Sequence, residues 1–241
     1  MKLDYKEVNN MNLLPLLDQT DSEHVKKFVA YPHGEHYKLL AYMVSKFFGK
    51  IIFDVGTHHG GSALALAYNP SNKIVSYDVY AQSKILDAPN IELNIGNVLD
   101  DKRLLDASII LLDTTHDGIF EREFLNHLIN KGYQGFLILD DIYLNNEMRE
   151  FWAGITIEKH DITALGHWSG TGLVNFGNEK VEIQLPDDEV LCQRLLDNLR
   201  RDPIYEMQNL ARTLGLHPKV GQFLAESVMI RVELERRGQL K

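Results

Sequence analysis

The stretch IIFDVGTHHGGSALALA, residues 51 to 67, decides how the rest of the chain is read. Five mostly apolar residues closing on an acid have the length and composition of a buried strand. The turn that follows holds three glycines, and the Ala- and Leu-rich run after it, from Ser62 to about Tyr68, has helix-forming composition. After the turn NPSN (69–72) comes a second strand, KIVSYDV (73–79), so the segment predicts a βαβ unit and a parallel sheet.

Working outward, IELNIG (91–96), SIILLD (108–113) and GFLILD (135–140) predict further strands, and ITALGH (162–167) with GLVNFG (172–177) predicts a closing pair. That makes seven strands. Near-continuous apolar strands such as IILL and FLIL belong to a sheet covered by helices on both faces. The expected architecture is therefore an α/β, doubly wound, Rossmann-like, mostly parallel sheet. Upstream, Leu39, Leu40, Met43, Val44, Phe47 and Phe48 recur at helical spacing before Gly49, giving an N-terminal helical lead-in. From Leu185 onward, three segments opening near Pro186, Pro203 and Pro218 read as helices. The division is a main domain over 1–184 and a helical appendage over 185–241, serving as a lid or as the contact of a homo-oligomer.

Composition limits the function. The chain has 241 residues, 44% hydrophobic and 24% charged, and no run apolar enough to span a membrane. Its single cysteine, Cys192, forms no internal disulfide, and the start MKLDYKEVNN lacks the apolar core of a secretory signal, so a cytoplasmic location is expected. A formal charge of −9 repels nucleic acid. The appendage carries nine basic and nine acidic residues and so offers no electrostatic footprint for DNA, despite a helix-turn-helix-like LARTLGLHPKVGQFL.

Ligands of open α/β sheets bind beyond the carboxyl ends of the strands, and Asp54, Asp78, Asp113, Asp140 and Asp141 all fall there. The loop from Asp54 through Gly56, Thr57 and Gly60 to Ser62 lacks the Lys of a phosphate-binding P-loop and the Gly-x-Gly-x-x-Gly of a dinucleotide site, which leaves a smaller anion such as a carboxylate. Asp78 follows Gly56 by 22 residues, the place of an acid that accepts ribose hydroxyls. Adenosine, a carboxylate and no phosphate together describe S-adenosylmethionine. No Gly-x-Ser-x-Gly elbow supports a serine hydrolase.

Asp113, Asp140 and Asp141 close neighbouring strands, and three converging carboxylates call for a hard cation such as Mg²⁺. The alternative is that Asp140 or Asp141 caps the helix expected around Asn146 to Trp152. His116, three residues past Asp113, is the candidate general base. His33, His36, His58, His59 and His167 with Trp168 lie on segments able to line the pocket, and His33-x-x-His36 without a nearby cysteine is a weak zinc pattern.

Taken in order, IIFDVGTHHGGSALALA, VSYDVY, ELNIGNV, IILLDTTH and LILDD resemble the class I S-adenosylmethionine-dependent methyltransferases over roughly residues 30 to 180. The GGS loop, DTTHDG and the Asp-Asp pair are similar to the macrocin O-methyltransferase and cephalosporin-hydroxylase-like branch, and more distantly to catechol O-methyltransferases. The resemblance implies that Gly56, Gly60 and Ser62 hold the methionine end, Asp54 the amino group, Asp78 the ribose, and Gly96, Asn97 and Val98 the adenine edge. It implies a Mg²⁺ that binds the acceptor hydroxyl, and O-methylation of a small hydroxylated acceptor such as a sugar or secondary metabolite. Two positions depart from the catechol type: Asp141 stands where Asn is usual, and His116 replaces the catalytic Lys. A second reading keeps the cofactor pocket without transfer, as a regulatory or interaction module.

Overall fold

The computed structural model describes residues 1–30, 35–81, 83–85, 88–167, 169–191, 204, 207–208, 211, 219 and 221–227. The expected sheet is present. Strands β2 (Ile51–Val55), β3 (Lys73–Asp78), β4 (Ile91–Ile95), β5 (Ile109–Leu112), β6 (Phe136–Asp140), β7 (Lys159–Asp161) and β8 (Thr171–Asn175) form one sheet in the order β4-β3-β2-β5-β6-β8-β7. The pairs β3/β4, β2/β3, β2/β5 and β5/β6 are parallel, and β8 runs antiparallel to both β6 and β7. The chain winds outward from β2 to β4, then returns to β5 on the other side of β2. Loops leaving β2 and β5 therefore part at a topological switch point, where such sheets bind ligands.

Alternation along the strands sorts the core into two layers. Ile52, Ile74, Ile109, Leu111 and Ile138 pack on one face against helices α3 (Tyr37–Val44) and α4 (Gly61–Leu66). Phe53, Val75, Ile110, Leu112 and Leu139 pack on the other with α5 (Phe120–Lys131) and α6 (Asn146–Gly154). Strands β5, β6 and β8 are buried along their whole length, whereas β4, at the sheet's edge, has no buried residue. Seven of the eight residues of α3 are buried, because it lies between the sheet and the N-terminal segment and has almost no solvent face.

Four expectations are corrected. ITALGH is not a strand: β7 ends at Asp161, and Ile162 starts a turn in which the Leu165 and Gly166 amides bond back to the Ile162 carbonyl. The glycine-loop helix ends at Leu66 rather than near Tyr68. Helix α3 stops at Val44, so Phe47 and Phe48 lie beyond it and Phe48 is exposed. The N-terminal segment is also not wholly helical. It opens with β1 (Lys2–Asp4), paired in parallel with β9 (Glu182–Gln184), followed by α1 (Tyr5–Asn9), a 3-10 turn and α2 (Glu23–Ala30). Short, polar KLD and EIQ carry too little periodicity to announce a strand.

Past residue 184 the backbone is helical over 188–191, where Asp187 caps the start, and over 221–227. Residues 204, 207–208, 211 and 219 are helical as well, and the rest of the expected three-helix appendage, with His33 and Trp168, lies outside the described residues. Among those described, no helix is long and apolar enough to cross a membrane.

Candidate active site

Two cavities open at the carboxyl ends of the strands and share Gly56, His58 and Asp113. The larger, about 870 Å³, is walled by Asp78, Gly96, Asn97, Val98 and Phe120. The smaller, about 340 Å³, is walled by Thr57, Ser62, Asp140, Asp141, Glu35 and His167. Both volumes are in the range of small-molecule sites.

Gly56 makes the junction possible. Its φ is +103°, and a Cβ there would overlap the carbonyl oxygen of Asp113, so the loops leaving β2 and β5 touch through a glycine. Gly60 caps α4 with φ +89°, where a Cβ would collide with Ile85 and Ser83; it lines neither cavity. The loop amides are less available than the sequence suggested. Gly56 and Thr57 N–H donate to the Tyr77 carbonyl, Gly60 N–H to Thr57, and His58 N–H to Asp78 Oδ2 at 2.7 Å. What remains for an anion are the first amides of α4, Gly61 to Ala63, which have no intrahelical acceptor by position.

Asp78 also accepts from Val79 N–H (2.6 Å) and Tyr80 N–H (3.1 Å), so it organises two loops while facing the larger cavity. A carboxylate has about four acceptor sites, two on each oxygen, so with Oδ1 taking two amides and Oδ2 one, a single site on Oδ2 is left for a hydroxyl. Asp54 differs from expectation: it is wholly buried beneath the loop and lines neither cavity. Burial pushes its carboxyl up to about 6, against hydrogen bonds from Ser76 and Ser62, and its Oδ1 has no partner. It is placed to position Ser62 rather than to touch a ligand.

The rim beyond β5 and β6 is built from remote pieces. His116 Nε2 lies 3.3 Å from Asp113 Oδ1 and 3.7 Å from Asp141 Oδ2. Its loop is fixed on both sides. Buried Glu121 accepts from Thr114 Oγ1 (2.9 Å) and His116 N–H (3.0 Å), and Asn145 Nδ2 donates to the His116 carbonyl at 2.7 Å. Asn145 also caps α6 by accepting from Met148 N–H, so neither Asp140 nor Asp141 is used as a cap. His58, His116 and Asp141 all have positive φ, 44°, 54° and 55°. For non-glycine residues this is strain of about 1–3 kcal/mol each, of the kind that collects at functional sites.

Two histidines from outside the rim close the cluster. His36, the residue before α3, sits with Nδ1 3.2 Å from Asp140 Oδ1. His167, in the β7–β8 connection, lies 3.3 Å from Asp141 Oδ1 and 3.8 Å from Glu35 Oε2, and Ser169 Oγ donates to Asp141. Burial opposes charge on both rings, but Asp140 beside His36 raises it to about 9, and Glu35 with Asp141 raises His167 to about 10. Burial opposes charge on His116 too, and is outweighed by Asp113 and Asp141, which raise it to about 9. Burial and the nearby Asp140 raise Asp113, burial pushes Glu35 up to about 7, and Asp140 is held low because His36 outweighs its burial. Donor atoms of His36, Asp113 and Asp140, and of His116, Asp140 and Asp141, lie within 4.8 Å of one another in two groups that share Asp140.

The structure thus brings Asp113, Asp140, Asp141 and His116 together with His36 and His167, two of the histidines placed on segments able to line the pocket, and adds Glu35 and Ser169. Glu35 and Ser169 had no sequence signal. His36 had one, its place beside an acid at the start of an apolar helix; its spacing to His33, a residue outside those described, was a weak zinc pattern.

No family profile and no curated protein matches the chain. Among solved structures it is similar to the Podospora anserina methyltransferase PaMTH1 bound to SAH, with TM-score 0.44 and 15% identity over 71% of this chain and 85% of that one. It is also similar to the O-methyltransferase TomG of Streptomyces achromogenes in complex with SAM, with TM-score 0.45 and 15% identity over 73% of this chain and 97% of that one.

Proposed function

We propose that the chain is an S-adenosylmethionine-dependent methyltransferase that methylates an oxygen of a small hydroxylated acceptor, a sugar or secondary metabolite, with the help of a divalent cation. The observation that carries this reading is the pair of cavities meeting at Gly56 and Asp113. One has the size and the ribose-facing acid for a nucleoside; the other has the acids for an acceptor. A bisubstrate reaction needs that arrangement, with the reacting atoms at the junction.

In this reading Asp78 takes the ribose, Gly96 to Val98 border the adenine, and Gly56, Thr57 and Ser62 border the methionine end. When bound, S-adenosylmethionine supplies an electrophilic methyl: the acceptor oxygen bonds to that carbon as the carbon–sulfur bond breaks, S-adenosylhomocysteine is left, and the hydroxyl proton passes to the protein. Against its burial, Asp113 and Asp141 raise His116 to about 9, and a cation bound by those same acids would offset that rise and free the ring to take the acceptor proton. His116 also orients Asp113, whose carboxylate borders both cavities. The acids suit a divalent cation, since buried Asp140 Oδ1 has no hydrogen-bond partner and faces further donors. Held by Asp113, Asp140 and Asp141, the cation would supply Lewis acidity that lowers the pKa of the acceptor hydroxyl.

Calorimetric titration of the purified chain with S-adenosylhomocysteine tests the assignment: saturable heat is expected, and none would remove the basis for it. Incorporation of labelled methyl into a hydroxylated acceptor separates an enzyme from a module that only binds.

A further inference from the structure

His36 is 1% exposed, and neither of its ring nitrogens has a hydrogen-bond partner. Two orphaned nitrogens on one buried ring are unusual, since buried polar atoms are nearly always satisfied. Nδ1 points toward Asp140 Oδ1, itself buried and unpartnered, at 3.2 Å but without hydrogen-bond geometry. An imidazolium paired to a carboxylate would align its N–H on the oxygen. Here two acceptor-capable atoms border a common point, and Asp113 brings a third donor within 4.8 Å. Ligand atoms around one divalent ion at bond lengths near 2.1 Å stand about 3 to 4 Å apart, so small movements close this group on an ion.

We propose that His36 supplies a nitrogen ligand to the cation site, beside Asp113 and Asp140, and that the ion held there is a first-row transition metal rather than Mg²⁺. This rests on the cation-assisted form of the function above and deepens it. Mg²⁺ takes oxygen ligands and keeps several waters, whereas imidazole favours zinc, iron, cobalt and nickel. His36, 1% exposed, would meet the ion from the buried side, while Asp113 and Asp140 face the smaller cavity. The ligand also comes from the N-terminal segment, so an ion would tie that segment to the sheet.

The test uses the full chain, stripped of metal with chelator, and Co²⁺ as the probe. Calorimetry compares Co²⁺ with Mg²⁺, and proton NMR of the Co²⁺ form counts ligating imidazoles by their exchangeable, paramagnetically shifted N–H signals. Co²⁺ is expected to bind at least about tenfold more tightly than Mg²⁺. One shifted N–H signal is expected, kept in His116→Gln and His167→Gln and lost in His36→Gln. Should His36→Gln fail to fold, His36→Asn is the second variant, in which loss of the signal is likewise expected and its persistence would overturn the proposal. Equal or tighter Mg²⁺ binding, no shifted N–H signal, or loss of the signal in His116→Gln or His167→Gln would each overturn the proposal. Homocysteine-cofactor binding is measured in the same samples: S-adenosylhomocysteine heat without a shifted signal defeats His36 ligation alone, whereas a shifted signal without that heat defeats the methyltransferase reading.

Discussion

The two halves of the strand rim solve the same electrostatic problem differently. On the side of β3 and β4, the carboxylate of Asp78 is held by three backbone amides, two from the next two residues and one from the adjoining loop. On the side of β5 and β6, Asp113, Asp140 and Asp141 meet rings from three separate stretches of chain, and several buried atoms there have no hydrogen-bond partner. The first half is finished by the protein itself and can receive a neutral sugar. The second is built with donors left over, as befits a place that waits for charge.

The largest expected effect attacks the point where the halves touch. Gly56→Ala forces a side chain into the Asp113 carbonyl at a φ that only glycine adopts readily, so a stability loss of about 3 kcal/mol or more is expected in urea unfolding, with loss of S-adenosylhomocysteine binding. A variant as stable as wild type would mean that the loops are not in contact.

Asp78→Ala separates the halves. It should weaken S-adenosylhomocysteine by about 100-fold, the loss of charge-assisted hydrogen bonds worth roughly 2–3 kcal/mol, while leaving cation binding at the other rim intact. Calorimetry with each ligand reads both; coupled losses would dissolve the distinction.

Glu121→Ala acts on the loop that joins the halves, since Thr114 lines the larger cavity and His116 faces the acids. The Thr114 hydroxyl and the His116 amide lose their acceptor inside the protein, and destabilisation of about 1–3 kcal/mol is expected, with S-adenosylhomocysteine binding weakened less than in Asp78→Ala. Chemical denaturation beside a ligand titration is the measurement.

The smallest effect belongs to the outer edge of the half formed by β3 and β4. Arg103 and Lys73 hold the Glu92 carboxyl down at about 2, below its ordinary 4.5. A depressed acid stabilises the fold above its unfolded value, and the contribution fades as pH falls from about 4.5 toward 2. Both partners are partly exposed, so the change should be slight and should shrink in salt. Acid unfolding of Glu92→Gln against wild type at two salt concentrations would show it, and an unchanged acid limb would assign no role to this cluster.

The same contrast explains what could be read in the sequence. Apolar runs with an Asp at or near their ends placed β2, β3, β5 and β6 and put four of the five acids at one rim, because burial on both faces writes itself into local composition. The Asp78 half was legible because its partners lie within a few residues or one loop. Glu35, Ser169 and the approach of His36 to Asp140 were not, since they depend on how the N-terminal segment and the β7–β8 connection fold back across the sheet. Asp54 was misjudged for a related reason: spacing places an acid at a strand end but does not tell whether the next loop covers it. Likewise, three-residue β1 and β9 are specified by pairing across the chain rather than by their own pattern.

That pairing has a consequence for biosynthesis. Lys2 meets Glu182, so the strap that fastens the lead-in cannot form until the polypeptide has been translated past the last strand of the main sheet. On the ribosome, domains tend to fold as their chain emerges, and distant pairings come late. The nascent sheet can therefore assemble first, and the anchoring of the segment upstream of His36 is finished only near the end of synthesis.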